Sequence, residues 1–292
     1  MRTAVFGVAP AIRPRGLCLL LHGLSEFIEK YTEVIDELRA RGFMVATFDW
    51  RSQGGSQRAL ADPFKIHVED FAQYDADLAA FMDQVVSPLG QGPIIALAHS
   101  MGGHILLRAL KAKPALVEAA VLSAPMIGMQ TEGYPPVVAR SICKLQTVLG
   151  RREDWVWGAD TLDPLTMDFA VQRVTRDRQR FARTQALLRA APDLRTKGPS
   201  WGWLDASFRS IASLRQAGFG TGLTTPLLTF GAQSDRVVVS ADCQRLMARL
   251  PRARYIPLSD AEHEILMERD GIRAQFWAAF DAFVAEQLSG RQ

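Results

Sequence analysis

Cysteine is scarce in this sequence: Cys18, Cys143 and Cys243 are the three among 292 residues. They lie far apart, are odd in number and fit no metal-ligand spacing, so neither a disulfide framework nor a thiolate metal site organises the chain, and reduced, buried thiols are expected. An excess of one charge is lacking too. The 34 Lys and Arg nearly balance the 31 Asp and Glu, and a net charge of +3 gives no field on which to build a nucleic-acid role. No apolar run approaches the ~18 consecutive residues of a membrane span. The apolar stretch within residues 1–11 is short and interrupted by Pro10, a poor match to a signal peptide. A cytoplasmic protein is expected, with peripheral contact at the inner membrane surface allowed. Repeats and low-complexity tracts are absent as well.

What is present is a globular composition, 48% apolar, in a chain long enough for one core to bury roughly three quarters of its unfolded surface. Short apolar runs alternate with helical patterns, the signature of parallel strands joined by crossover helices. Residues 17–21, 43–48, 94–98 and 119–124 read as strands, and 3–8 has room for one more. Residues 33–41 and 70–86 read as amphipathic helices, the second with Phe71, Tyr74, Leu78, Phe81, Met82 and Val85 at three- and four-residue steps. After Pro125 the rhythm breaks, and residues 126–222 show helical periods, arginines and tryptophans. It returns with a strand at 227–230, a helix at 241–250, a strand at 254–257 and a closing helix at 272–288. The predicted organisation is an α/β core of residues 1–125 and 223–292 carrying a mostly helical cap of residues 126–222.

The sharpest local signal is Ala98-His99-Ser100-Met101-Gly102-Gly103, where a buried strand gives way to a helix. A serine on such a turn is held in a strained conformation with its hydroxyl presented, and small residues two before and two after it let strand and helix approach. Ser100 is the candidate nucleophile. A serine needs a histidine to take its proton and a carboxylate to orient that histidine. Of the five histidines, His99 and His104 are tied to the turn and its helix, His22 ends an early strand and His67 reads as structural. His263 alone follows the last strand, where the base belongs in the order serine, acid, histidine. Asp235, beyond the strand at 227–230, is the candidate acid. Asp260, three residues from His263, is its rival, and Asp242 reads as a surface residue. The backbone amides of Met101 and Leu24, the latter after His22-Gly23, are the candidate oxyanion donors.

With these residues assembled, the chain resembles the α/β-hydrolase superfamily, and within it the bacterial lysophospholipase and monoacylglycerol lipase-like serine hydrolases. The resemblance spans nearly the whole chain. It rests on residues 26–31 (EFIEKY), 48–54 (FDWRSQG), 67–71 (HVEDF), 98–103 (AHSMGG), 198–204 (GPSWGWL) and 262–266 (EHEIL). Ala98 and Ser52 stand where relatives usually carry glycine, and the amino-terminal region is short. The resemblance implies a mostly parallel central sheet with helices on both faces, a cap inserted after the fourth recognisable strand, and hydrolysis of a carboxylic ester through an acyl-enzyme with no metal or organic cofactor. A peptidase or thioesterase with the same triad, or a ligand-binding module without turnover, are the competing readings.

Trp155, Trp157, Trp201 and Trp203 fall in the predicted cap, near Met126, Ile127, Met129, Leu162, Leu165, Phe169 and Phe208. Such residues suit an acyl-chain pocket or ordinary packing equally, and Trp201, Trp203 and Met126 are the candidate substrate contacts. Residues 173–197 hold eight Arg and Lys against Asp177 and Asp193. A solvated helix face is the favoured reading of that excess, and attraction of a phosphate head group or an anionic bilayer is the alternative. A small acyl ester or lipid is the expected substrate. Chain length, head group and oligomeric state are not encoded in any motif.

Overall fold

The strands form because each central apolar run is buried on both faces, as parallel strands covered by helices require. The computed structural model describes residues 1–90, 92–161 and 163–289. Among them, seven strands make one sheet: β1 (Thr3–Phe6), β2 (Gly16–Leu21), β3 (Phe43–Phe48), β5 (Ile94–His99), β6 (Ala119–Ser123), β8 (Leu227–Ala232) and β9 (Ala253–Leu258), in the spatial order β1-β3-β2-β5-β6-β8-β9. β1 runs antiparallel to β3 and the other pairs are parallel, with Leu19 opposite Ala46 on one side and Ala96 on the other. The single strand before β2 matches the expectation for the amino-terminal region, ending at Phe6 rather than residue 8.

Helices cover the sheet. α1 (Thr32–Ala40) buries Val34, Ile35 and Leu38 and stops at Gly42, whose φ of +89° is the left-handed cap that glycine supplies. The pattern at 70–86 yields α2 (Ala72–Phe81), after which Met82–Val86 widens into a π turn ahead of Pro88. α3 (Ser100–Ala112) follows β5 with no intervening loop, α7 (Ser240–Met247) follows β8, and α8 (Asp270–Leu288) closes the chain. Because β3 lies on one side of β2 and β5 on the other, the sheet order reverses at β2, and the crevice beyond the carboxyl ends of β2 and β5 is where ligands bind in such sheets.

Between β6 and β8 come α4 (Pro136–Val148), α5 (Arg178–Ala190) and α6 (Trp201–Leu214), with long turn-rich connections. This stretch is not wholly separate from the core. The two-residue strand β7 (Gly198–Pro199) pairs in parallel with β4 (Lys65–Ile66), and α6 buries Trp203, Ala206, Ile211 and Leu214 in the same apolar cluster as the sheet. The three cysteines are free and buried. No helix among the described residues is long and apolar enough to cross a membrane.

Candidate active site

The site begins with a strained residue. Ser100 has φ +50°, a left-handed conformation that costs a non-glycine residue of order 1 kcal/mol or more and persists only when its surroundings enforce it. The enforcement is the passage from β5 straight into α3. A Cβ on Gly102 would stand 2.6 Å from the His22 carbonyl oxygen and 2.7 Å from that of Leu21, so the helix can lie this close to β2 with glycine there. Met126, on the chain leaving β6, donates its amide to the Ser100 carbonyl at 3.0 Å and fixes the turn from the other side.

Three distant side chains meet at this point. His263 Nε2 lies 2.8 Å from Ser100 Oγ, and its Nδ1 lies 2.8 Å from Asp235 Oδ2. With Nδ1 donating to the carboxylate, Nε2 is left as the acceptor for the serine proton. Asp235 is held in turn by two amides, from Val237 and Val238, each 2.8 Å from Oδ1. Burial alone would raise the Asp235 pKa, but His263 and those amides more than offset it, and the carboxyl stays below its usual range. Burial likewise pushes His263 down, and the Asp235 charge outweighs it, so the imidazole is more basic than in water. The neighbouring imidazole of His99 is pushed down to about 4, by burial above all, and its Nδ1 donates to the Ser123 carbonyl at 3.0 Å. One base is thus poised and the other held neutral.

The rivals are occupied elsewhere. Asp260 is exposed and faces Arg176 at 3.0 Å, and Asp242 is bound by Arg215 and Arg245. His67 is buried, with Nδ1 2.8 Å from Ser200 Oγ and Nε2 3.1 Å from Glu69, and pins the start of α6 to the chain beyond β4.

The loop after β2 is pressed against the nucleophile. A Cβ on Gly23 would stand 3.1 Å from the Ser100 Cβ and 2.9 Å from the His99 ring. Leu24 follows, and among the described residues no group accepts a hydrogen bond from its amide. The Met101 amide, at the first turn of α3, has no acceptor within the helix. Two side chains hold the loop without having stood out in the sequence. Glu26 accepts from the Gly23 amide at 2.5 Å, and Gln53 accepts from the Ser25 amide at 2.6 Å. Both fall within the 26–31 and 48–54 segments, whose several polar residues gave no sign of which would turn inward.

The substrate contacts are redistributed. Trp203 packs against Phe71 and donates Nε1 to the Tyr74 hydroxyl at 3.1 Å, a core position, and Trp201 is buried edge-on against Trp157. Met126 lies beside Ser100 through the backbone bond above. Leu162 lies outside the described residues. A cavity of about 120 Å³ opens instead between the Ser25 loop, Glu264 and the cap, with Met167, Val174, Phe181 and Leu188 as its apolar wall. The arginines of 173–197 are engaged rather than free: Arg180 reaches Glu33 at 2.6 Å and Asp270 at 2.7 Å, Arg183 reaches Glu33 at 2.7 Å, and Arg173 reaches Glu132 at 2.5 Å. Arg180 and Arg183 tie α5 to Glu33 and Asp270, while Arg173, Arg176, Arg178, Arg183 and Arg189 are exposed, in keeping with a largely solvated face.

The chain as a whole is similar to known proteins. A family model described as serine aminopeptidase, S33 (Hydrolase_4) matches residues 12–270. Lysophospholipase L2 of Escherichia coli K12 is 34% identical over 260 residues, covering 86% of this chain and 75% of that protein. A probable lysophospholipase L2 of Haemophilus influenzae is 27% identical over 280 residues, covering 96% and 87%. Among solved structures, a soluble variant of monoglyceride lipase from Saccharomyces cerevisiae, in complex with a substrate analog, superposes with a TM-score of 0.79 over 98% of this chain and 91% of that one, at 19% identity.

Proposed function

The chain belongs to the Hydrolase_4 (serine aminopeptidase, S33) family of α/β-hydrolases, and from that premise we propose a two-step acyl transfer centred on Ser100. The protein is a lipase- or esterase-like serine hydrolase acting on carboxylic esters. In the first step Ser100 Oγ attacks the acyl carbonyl while His263 Nε2 takes its proton. Asp235 keeps the imidazole in the required tautomer and stabilises the imidazolium. The developing oxyanion is received by the Leu24 and Met101 amides. His263 then protonates the leaving alkoxide, and in the second step it activates the water that clears the acyl-enzyme. None of these steps calls on a metal or organic cofactor.

The observation that carries this reading is the pair of 2.8 Å contacts linking Ser100, His263 and Asp235 across a serine at φ +50°. On this reading residues 126–222 are a cap over a core of residues 1–125 and 223–292, and the cavity walled by Met167, Phe181 and Leu188 receives the acyl chain.

The substrate is a lipid ester, with a lysophospholipid favoured over a monoacylglycerol because the relatives matching most of the chain carry that activity in their names. The family description raises an aminopeptidase reading. It would need a free carboxylate for the substrate ammonium, and the two carboxylates beside the site, Glu26 and Glu264, share the Lys30 ammonium. A thioesterase remains chemically equivalent at the triad. Peripheral contact with the inner membrane surface is proposed through α4, where Val137, Leu145 and Val148 and the following Leu149 are exposed. Arg140, Lys144, Arg151 and Arg152 accompany them, with no Asp or Glu from residue 134 to 152.

The test is a panel of lysophospholipid, monoacylglycerol, short aryl ester, acyl-CoA and aminoacyl amide, with fluorophosphonate labelling of wild type and Ser100→Ala. Ester turnover and labelling are expected in the wild type and neither in the variant. Full activity in Ser100→Ala would refute the assignment.

A further inference from the structure

Beside the triad lies a buried charge cluster that the acyl-transfer steps do not use. Glu26 Oε2 accepts from the Gly23 amide at 2.5 Å and the Tyr31 hydroxyl at 2.7 Å. The Lys30 ammonium stands 2.8 Å from Glu26 Oε1 and 2.6 Å from Glu264 Oε1, and the side chains of Lys30, Glu26 and Glu264 are 7%, 3% and 12% exposed. Glu264 directly follows His263, and its amide donates to the Val174 carbonyl of the cap at 2.7 Å. One ammonium therefore joins the loop that carries Gly23 and Leu24 to the loop that carries His263.

Burying three ions is costly, and an apolar trio of similar volume would serve the fold at least as well. What an apolar trio lacks is direction. The carboxylate of Glu26 fixes the His22–Gly23 peptide plane, the His22 Nδ1 stands 2.8 Å from the Gly23 carbonyl oxygen in the next plane, the one that carries the Leu24 N–H, and Glu264 fixes the chain one residue beyond the base. Burial would by itself favour neutral carboxyls; Lys30 opposes that at both, and Glu26 is held well below the usual carboxylate range, whereas at Glu264 burial prevails and the carboxyl lies above it.

We infer that Lys30 is a positioning residue of the acyl-transfer site, holding the oxyanion loop and the His263 loop at one fixed spacing through Glu26 and Glu264. The inference rests on the proposed triad. A misplaced oxyanion donor weakens transition-state binding more than ground-state binding, so its signature is a loss in kcat with little change in KM. Groups facing the cluster are His22 beyond β2, His99 at the end of β5, His263, and Tyr31 from its own segment.

The experiment uses the full chain with a soluble aryl ester and measures kcat, KM, the rate of fluorophosphonate labelling at Ser100 and thermal melting. Lys30→Met is expected to lower kcat and the labelling rate about 10²-fold, the range of a lost oxyanion donor, with KM within about threefold. Lys30→Arg, which keeps the charge, is expected to recover most of the loss. A folded Lys30→Met that labels and turns over at wild-type rate, or one whose defect lies in KM alone, overturns the inference. If Lys30→Met does not fold, Glu264→Gln and Glu264→Leu decide: a kcat about tenfold higher in Gln, which keeps an acceptor oxygen, supports it, and equal values overturn it. Ser100→Ala is run alongside. Activity surviving in Ser100→Ala brings down the triad itself; activity lost there but intact in folded Lys30→Met brings down this inference alone.

Discussion

The floor of the site and the cap above it are held by different physics. On the floor, the side chains of Ser100, His263 and Asp235 are buried and fixed by short hydrogen bonds to main chain or to one another, beyond the carboxyl ends of β5, β9 and β8. The proposed cap is fastened at α5 by guanidinium–carboxylate pairs on the half-buried Glu33, one from Arg180, 11% exposed, and one from Arg183, 57% exposed. Exposed pairs are each worth about 0–1 kcal/mol and are screened by salt, whereas fully burying a Leu or Phe contributes roughly 1.5–3 kcal/mol. The difference teaches that the proposed catalytic geometry rests on buried contacts that water and salt do not reach, and the proposed cover in part on pairs that they do. α6 is the exception within the cap, since Trp203, Ile211 and Leu214 anchor it in the core.

The contrast can be broken most severely at the floor. Ser100→Ala should lower kcat/KM on a good ester by on the order of 10⁴-fold or more while leaving the melting temperature unchanged; a variant with ordinary turnover would mean the floor is not the site. Next, Asp235→Asn should cost about 10³–10⁴-fold in kcat by favouring the wrong tautomer of His263, read from steady-state rates in a variant that still labels slowly with fluorophosphonate. The pH profile comes third. His263 must be neutral to act as base, and its pKa is raised above the ordinary imidazole value of 6.5, so kcat/KM should fall tenfold per unit as pH drops below a midpoint lying above 6.5. A midpoint near 4, where His99 titrates, would assign the base wrongly.

Smaller effects belong to the cap. Phe181→Ala should lower kcat/KM for long-chain esters relative to short ones by roughly 10-fold, the scale of a few lost apolar contacts; equal losses on both would remove α5 from the acyl pocket. Smallest is the latch. Arg180→Ala with Arg183→Ala should cost only about 1 kcal/mol in a denaturant titration, with the gap to wild type narrowing at high salt. Acid weakens the same latch. The Arg180 guanidinium, above all, lowers the Glu33 pKa to about 2 from 4.5. Its stabilisation is therefore complete above about 4.5 and is lost as pH falls toward 2. A salt-independent, floor-sized effect of the latch variant would erase the distinction between the two regions.

Much of the floor was legible in the sequence because backbone geometry and residue order are local or nearly so. The buried runs at 43–48 and 94–98 could hardly be other than strands, and the small residues flanking Ser100 announce a turn that only tight packing requires. The cap resisted reading. Trp203 looks like a pocket residue by composition, yet its indole finds a hydrogen-bond partner in Tyr74 and packs inward. Met167 and Leu188 carry no motif and become a cavity wall through the placement of α5 and of the turns before it. β4 and β7 are two residues each, too short for any period to reveal.

The sequence by itself determined the strand and helix rhythm, the strained serine turn and the order of nucleophile, acid and base, since hydrophobic period and small-residue spacing act over a few neighbours. The tertiary structure alone decided which charges cancel. Some of the arginines that read as a solvated face, or alternatively as an anion site, close on Glu33, Asp270 and Glu132, and Lys30 finds Glu264 across 234 residues. Ion pairing depends on distance in space, and no one-dimensional spacing carries that information.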